Sequence, residues 1–426
     1  MDTRHAAVKV SGILTLPAET VLYVLAHLDY RSLLRCGQCC QRLLQLSKDD
    51  GLWKRLCRSN FLVERCTNDQ GWRTTFEDYF REYGMYISCY KDIKKRPGIR
   101  LKLILYRRVA QKSVLKSLNG PASEGVLESA ERKIGHRLPL DLRCSLRIHN
   151  GQGTFHRNAC FMNTGDVGHT PVKSEFLVDA MTLAVKYKDS GELRGCAPIT
   201  YCGFSNFNAG QMIAVTEEGG HTIGEVFFPV LRREGFTQVD QFIAGQTFRN
   251  WLTGLAQALA EDRYIWQDDM LTMFYREPSC VAITNEMFRV EVATCFLPEM
   301  SCVIPPHFTF MYHITMSMSE SAPPQCSCQL ETRHWIITDE EGNEERVDGP
   351  GVVGMFPVMK PGSVYSWISY TAFSTTYGNM KGHFTMKNLR TGEEVNIECP
   401  CYHMKCLPYK MSEERAIKRK ERKKKL

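Results

Sequence analysis

Between residues 16 and 56, apolar side chains return every three or four positions in three short runs. The first holds Val21, Leu22, Leu25 and Leu28, with Thr15 placed to cap a helix, Pro17 and Glu19 in its first turn, and Asp29 at its end. Leu33, Leu34, Cys36, Cys40 and Leu43 make the second, and Leu52, Trp53 and Leu56 the third. A segment of about 40 residues cannot bury enough apolar surface to stand alone, so these faces predict a partner inside or outside the chain. Trp72, Phe76, Tyr79, Phe80 and Tyr83 mark a further amphipathic helix. Leu127, Ala130, Glu131 and Ile134 predict a helix stopped by Gly135, and Leu138-Pro139-Leu140-Asp141 opens another that runs to Asn150-Gly151. Strands are expected at 199–201, 211–216 and 224–228, followed by a helix that Thr247 caps and that carries Phe248, Trp251, Leu252 and Leu255 on one side. From about residue 279 to 408 the period drops to two: residues 290–294, 308–318 and 335–338 alternate, with turns at Glu341-Gly342-Asn343, Lys360-Pro361-Gly362 and Arg390-Thr391-Gly392. The pattern therefore predicts a multidomain chain: helical first, α+β in the middle, and an all-β sandwich last.

Length agrees with this division, because 426 residues exceed one typical domain. No run reaches the 18 or so apolar residues of a membrane helix, and the first residues lead into no apolar leader, so no membrane partner and a reducing compartment are expected. The 18 cysteines are scattered among aliphatic residues, which suits buried thiols better than a disulfide framework. Cys399, Cys401, His403 and Cys406, with Cys326 and Cys328 upstream, have residue types that bind zinc, but at no standard spacing. Cys399, Cys401 and His403 alternate as one face of a strand, and neither a metal nor a cofactor is expected.

Charge changes the picture only at two places. Residues 415–426 carry eight Lys/Arg and one Glu, the whole of the chain's net +7, which suits a nuclear-import signal, a nucleic-acid patch or a solubilising end. The body is near neutral, so no nucleic-acid-binding domain is expected. Between Asp92 and Glu124 there are nine Lys/Arg and no acid, read as a solvated connector.

Candidate chemistry is sparse. Gly349-x-Gly351-x-x-Gly354 spells a dinucleotide fingerprint, but Phe356 and Pro357 leave no room for the helix that motif requires. It reads as a glycine loop between strands, with Arg333 and His334 as cationic neighbours for a weakly held anion. No Gly-x-Ser-x-Gly elbow, phosphate-binding P-loop, His-Glu-x-x-His pair or kinase set occurs, no cysteine has an activating setting, and no catalytic residue is expected.

Three resemblances organise these modules. The Leu-Pro start, spaced aliphatic helix, Cys/Arg-Leu middle and closing Leu-Trp of residues 11–57 resemble an F-box, which implies docking on a Skp-type adaptor and through it on cullin and RING subunits. Leu16, Pro17, Val21, Leu22, Leu25, Leu28, Leu33, Leu34 and Trp53 would form that adaptor interface. A helical segment and the basic connector fill 58–113. Glu131, Gly135, Leu138-Pro139-x-Asp141 and His149-Asn150-Gly151, within 114–262, resemble the SUKH (SMI1/KNR4-like) superfamily. Arg333-His334-Trp335-Ile336-Ile337-Thr338-Asp339, Gly349 to Gly354, Pro361-Gly362 and Thr385-Met386 through Glu393-Glu394, within 279–408, resemble the bacterial ApaG domain, an immunoglobulin-like sandwich; 409–426 is left as a basic tail. That order resembles the F-box only protein 3 family. It implies a noncatalytic receptor subunit of an SCF-type ubiquitin ligase, in nucleus and cytoplasm, whose SUKH and ApaG domains recruit target proteins for degradation. The competing expectation is a nuclear protein whose ApaG region binds nucleotide or pyrophosphate, or whose tail binds nucleic acid with steep salt dependence.

Overall fold

The computed structural model describes residues 12–66, 71–94, 117–153, 162–163, 174–202, 210–218, 220–230, 240–267 and 270–411. The basic stretches at 95–116 and 415–426 lie outside them. The chain forms two compact units that divide after Lys95.

The first unit is helical: α1 (Ala18–Leu25), α2 (Tyr30–Cys39), α3 (Gln41–Leu46), α4 (Asp50–Phe61), α5 (Trp72–Tyr83) and α6 (Tyr90–Ile93). Three boundaries differ from the sequence expectation. Thr15 lies in a single 3-10 turn, and its hydroxyl donates to the Gly12 carbonyl, so α1 opens directly behind Pro17. Asp29 begins α2 rather than ending α1; its carboxylate accepts the Ser32 amide at 2.7 Å. The second run is broken at Cys40, which is fully extended. On one straight helix Leu33 and Leu43 would point about 80° apart; the break lets both be buried. The core is aromatic. Trp53 donates its indole N–H to the Ser47 carbonyl and meets Phe76 edge-on, and Phe76 also touches Tyr30, Phe61 and Phe80.

The second unit starts with α7 (Glu124–Ile134) and α8 (Leu140–Leu146). Gly135, at φ +80°, ends α7 as expected. The Glu131 carboxylate accepts the Leu138 amide and the Arg143 guanidinium, while Glu124 takes both Arg143 and Arg147, so the acidic helix is bolted to the turn and to α8. Asn150 accepts the Ala180 amide at the start of α9 (Ala180–Val185). Gly151 sits at φ +68°, where a Cβ would lie 2.5 Å from the Val178 carbonyl carbon; only glycine fits.

The strands follow: β1 (Met162–Asn163), β2 (Ser174–Leu177), β3 (Cys196–Pro198), β4 (Thr200–Cys202), β5 (Met212–Ala214), β6 (Val226–Val230) and β7 (Asp240–Gly245). Then comes α10 (Phe248–Ala260), capped by Thr247 as its sequence indicates. Residues that the sequence left between two domains form a hairpin, β8 (Tyr264–Gln267) and β9 (Met270–Tyr275). The C-terminal region contributes β10 (Val281–Thr284), β11 (Phe288–Phe296), β12 (Phe308–Met318), β13 (Cys328–Asp339), β14 (Glu344–Pro350), β15 (Val358–Met359), β16 (Val364–Phe373), β17 (Tyr377–Asn388), β18 (Glu394–Lys405) and β19 (Tyr409–Lys410).

Sheet pairing joins what the sequence separates. One sheet runs β16-β12-β11-β9-β1-β2-β4, so β9 links strands of the C-terminal sandwich to strands of the α+β region. The opposing sandwich sheet runs β14-β13-β17-β18, and the two enclose Val290, Ile314, Met316, Trp335, Phe384, Ile397 and Tyr402. The third sheet runs β19-β7-β6-β5-β3: the chain leaves the sandwich and returns to pair with a strand, β7, made some 160 residues earlier. Phe228, Val230 and Phe242 of that sheet belong to the sandwich core, and Tyr409 packs on both Phe242 and Phe308.

Candidate functional site

The helical unit sorts its apolar residues into two sets. Val21, Leu25, Leu33 and Trp53 are at most 2% exposed and hold the unit's interior, which removes them from any surface a partner could reach. Leu16, Leu22 and Leu28 are half-buried, and Pro17 and Leu34 are exposed. Three further residues that the sequence reading passed over are also outside: Tyr23 (70% exposed), Val24 (40%) and Leu44 (37%). A signal for the first two was present. Residues 21–25 are apolar without interruption, and a helix apolar on every side has a second face to cover.

The glycine-rich segment forms a tight loop after β14. Gly351, Val353 and Gly354 all have positive φ, and short strand β15 follows in place of a helix. Its carbonyls are committed: Arg333 donates to the Pro350 and Gly351 oxygens at 2.9 Å each. The Gly351 amide is used on Glu331, and Val352 and Met355 bond to one another. His334 is held between Asp348 (2.7 Å) and Thr332 (2.9 Å) and stacks on His383. The loop residues and their basic neighbours thus satisfy each other.

Burial pushes the Cys57 thiol up to about 12 and those of Cys328 and Cys406 to about 11, the direction opposite to that of a nucleophile. The expectation that Cys399, Cys401 and His403 share one strand face is corrected. Between the pairs Met380–Tyr402 and Gly382–Cys399, β18 has one residue more than β17, a bulge that reverses its alternation. Cys399 points inward, whereas Cys401, His403 and Lys405 point out.

Comparison with known proteins divides the chain in the same order. Residues 13–59 match the F-box-like family, 121–254 the SMI1 / KNR4 family (SUKH-1), and 298–388 the ApaG domain. F-box only protein 3 of Bos taurus is 37% identical over 97% of this chain and 87% of its own length. The Homo sapiens protein is 37% identical over 97% of this chain and 86% of its own. The chain belongs to the F-box only protein 3 family. Its C-terminal part is also 40% identical to Protein ApaG of Acidithiobacillus ferrooxidans, over 27% of this chain and 87% of that one.

In this F-box only protein 3 relative the SUKH and ApaG regions meet around a cleft of about 750 Å³. Phe228, Trp251 and Leu255 come from the SUKH side and Phe296 from the ApaG side, giving an apolar floor. The bulge in β18 places His403 and Lys405 on one wall, and the β8–β9 hairpin provides Tyr264, Tyr275 and, just beyond it, Glu277 on another. Trp251 is fixed from behind, donating to Gln211, which in turn donates to Glu175. Tyr377 and His403 stack and share a 2.7 Å hydrogen bond. None of the cleft was readable from the sequence, since its walls come from residues 211 to 407 and depend on the bulge.

Proposed function

We propose that this chain is the noncatalytic substrate-recognition subunit of an SCF-type cullin-RING ubiquitin ligase. The F-box docks on a Skp-type adaptor, and the SUKH and ApaG regions hold the protein to be ubiquitinated. The observation that carries this reading is the exposed apolar set of the F-box-like unit: Tyr23, Val24, Leu34 and Leu44 remain outside a unit whose own core is complete. Apolar side chains left on a finished small fold mark an interaction surface. The docking surface is then Tyr23, Val24 and Leu34 with Leu16, Pro17, Leu22 and Leu28, while Val21, Leu25, Leu33 and Trp53 support it from inside. Catalysis by such a subunit is proximity alone: the assembly brings a charged conjugating enzyme near lysines of the bound target. The same reading takes the basic tail as a nuclear-import signal and places the chain in nucleus and cytoplasm.

The test is a pull-down of the full chain with purified Skp-type adaptor. A Tyr23→Asp/Leu34→Asp variant changes only exposed positions and keeps its helical circular dichroism, yet weakens adaptor binding at least a hundredfold, a loss of about 3 kcal/mol. Adaptor binding unchanged in that variant, or absent from the unaltered chain, refutes the docking.

A further inference from the structure

Resting on the receptor reading above, we propose that the cleft between the SUKH and ApaG regions is the target-docking site, and that it takes a peptide segment pairing an apolar side chain with a carboxylate. Its size falls in the range of about 300 to 1,000 Å³ typical of sites that engulf a ligand group. Two independent parts of the fold build it, and three devices hold them together: the β9 link, the shared core, and β19 in the SUKH sheet. A cleft fixed in this way is preorganised, so a peptide that enters it orders only itself.

The floor selects an apolar side chain, because Phe228, Trp251, Leu255 and Phe296 present rings and methyl groups. The indole N–H of Trp251 is already spent on Gln211 and asks nothing of the ligand. The rim is rich in donors. Lys405 brings a full positive charge and forms no ion pair among the described residues, and Asn250 and His403 stand on the same rim. Among the described residues, Glu277 is the single carboxylate in the lining. Donors on several walls against one acid favour a ligand carboxylate, from an Asp or Glu side chain or a chain terminus beside the apolar residue. A basic peptide would face Lys405 and leave the other donors unused.

Gly254 provides the decisive variant. It lines the cleft on the exposed side of α10, and a Cβ there meets nothing within 4 Å. Gly254→Trp therefore fills the cleft without disturbing the helix, and Lys405→Glu, at an exposed position, reverses the rim charge. The experiment is selection of a random heptapeptide phage library on the full chain. Selected peptides are then synthesised with a fluorophore and titrated against the three proteins. The expected result is enrichment of an apolar residue next to Asp, Glu or a free C-terminus, with affinity reduced at least tenfold in each variant. Selected peptides that lack a carboxylate, or that bind both variants as well as the unaltered chain, overturn the proposal, and so does a selection that yields no binder. A small aryl carboxylate that binds as tightly as the peptides would make this a metabolite site and overturn the docking assignment. Adaptor capture separates the two readings: peptide binding without adaptor binding sinks the receptor role alone, and the converse sinks only the cleft.

Discussion

His313 shows how much one side chain can set. It is buried in β12 beside Phe274, with Thr315 within 3.4 Å, and burial lowers its pKa from 6.5 to about 4. The folded state therefore keeps the ring neutral while an unfolded chain protonates it below pH 6.5. Stability from this group is complete above pH 6.5 and drains away as pH falls toward 4, to a limit of about 3 kcal/mol. Thermal melts between pH 7 and 4 should show a steeper decline for the unaltered chain than for His313→Gln, and parallel curves would contradict the buried neutral ring. Gly382 is decisive by volume instead. Its Cβ would sit 1.9 Å from the His334 carbonyl oxygen, at the bulge that turns His403 and Lys405 outward. Gly382→Ala should cost about 2 to 3 kcal/mol in denaturant melts; an unchanged midpoint would mean that the strands can part without penalty.

At the scale of elements, legibility followed local pattern. β12 was readable to the residue because eleven alternating positions carry its signature, and α7 because Gly135 ends it and three apolar residues mark its face. The F-box helices were readable as helices, but not which face is left for a partner, since Val21 and Tyr23 are equally apolar and only packing distinguishes them. The reversal in β18 was hidden because a bulge is a relation between two strands: Cys399-Pro400-Cys401 has the same alternation on paper whether or not β17 matches it residue for residue. No glycine or proline separates β8 from β9 in the sequence, so no punctuation announced the hairpin. β19 has two residues, too few for any period.

For the whole molecule, β19 is the feature with the widest reach. Lys410 delivers its ammonium to Glu225 at 2.6 and 2.8 Å, and His221 holds the same carboxylate from the other side. Burial works to raise the Glu225 pKa, but the hydrogen bonds from His221 and Lys410 outweigh it and hold the group below its ordinary value. Lys410→Met should destabilise the second unit by about 3 kcal/mol, and less when combined with Glu225→Gln, because the double variant leaves no buried charge behind. Strictly additive losses would show that the pair is not coupled. The order of synthesis gives this strand another meaning. β7 emerges some 160 residues before β19, on the order of ten to thirty seconds of translation, and its edge stays open throughout. The nascent SUKH sheet therefore waits, unfinished and able to pair with other chains, until the ApaG sandwich has been made and its last strand has turned back.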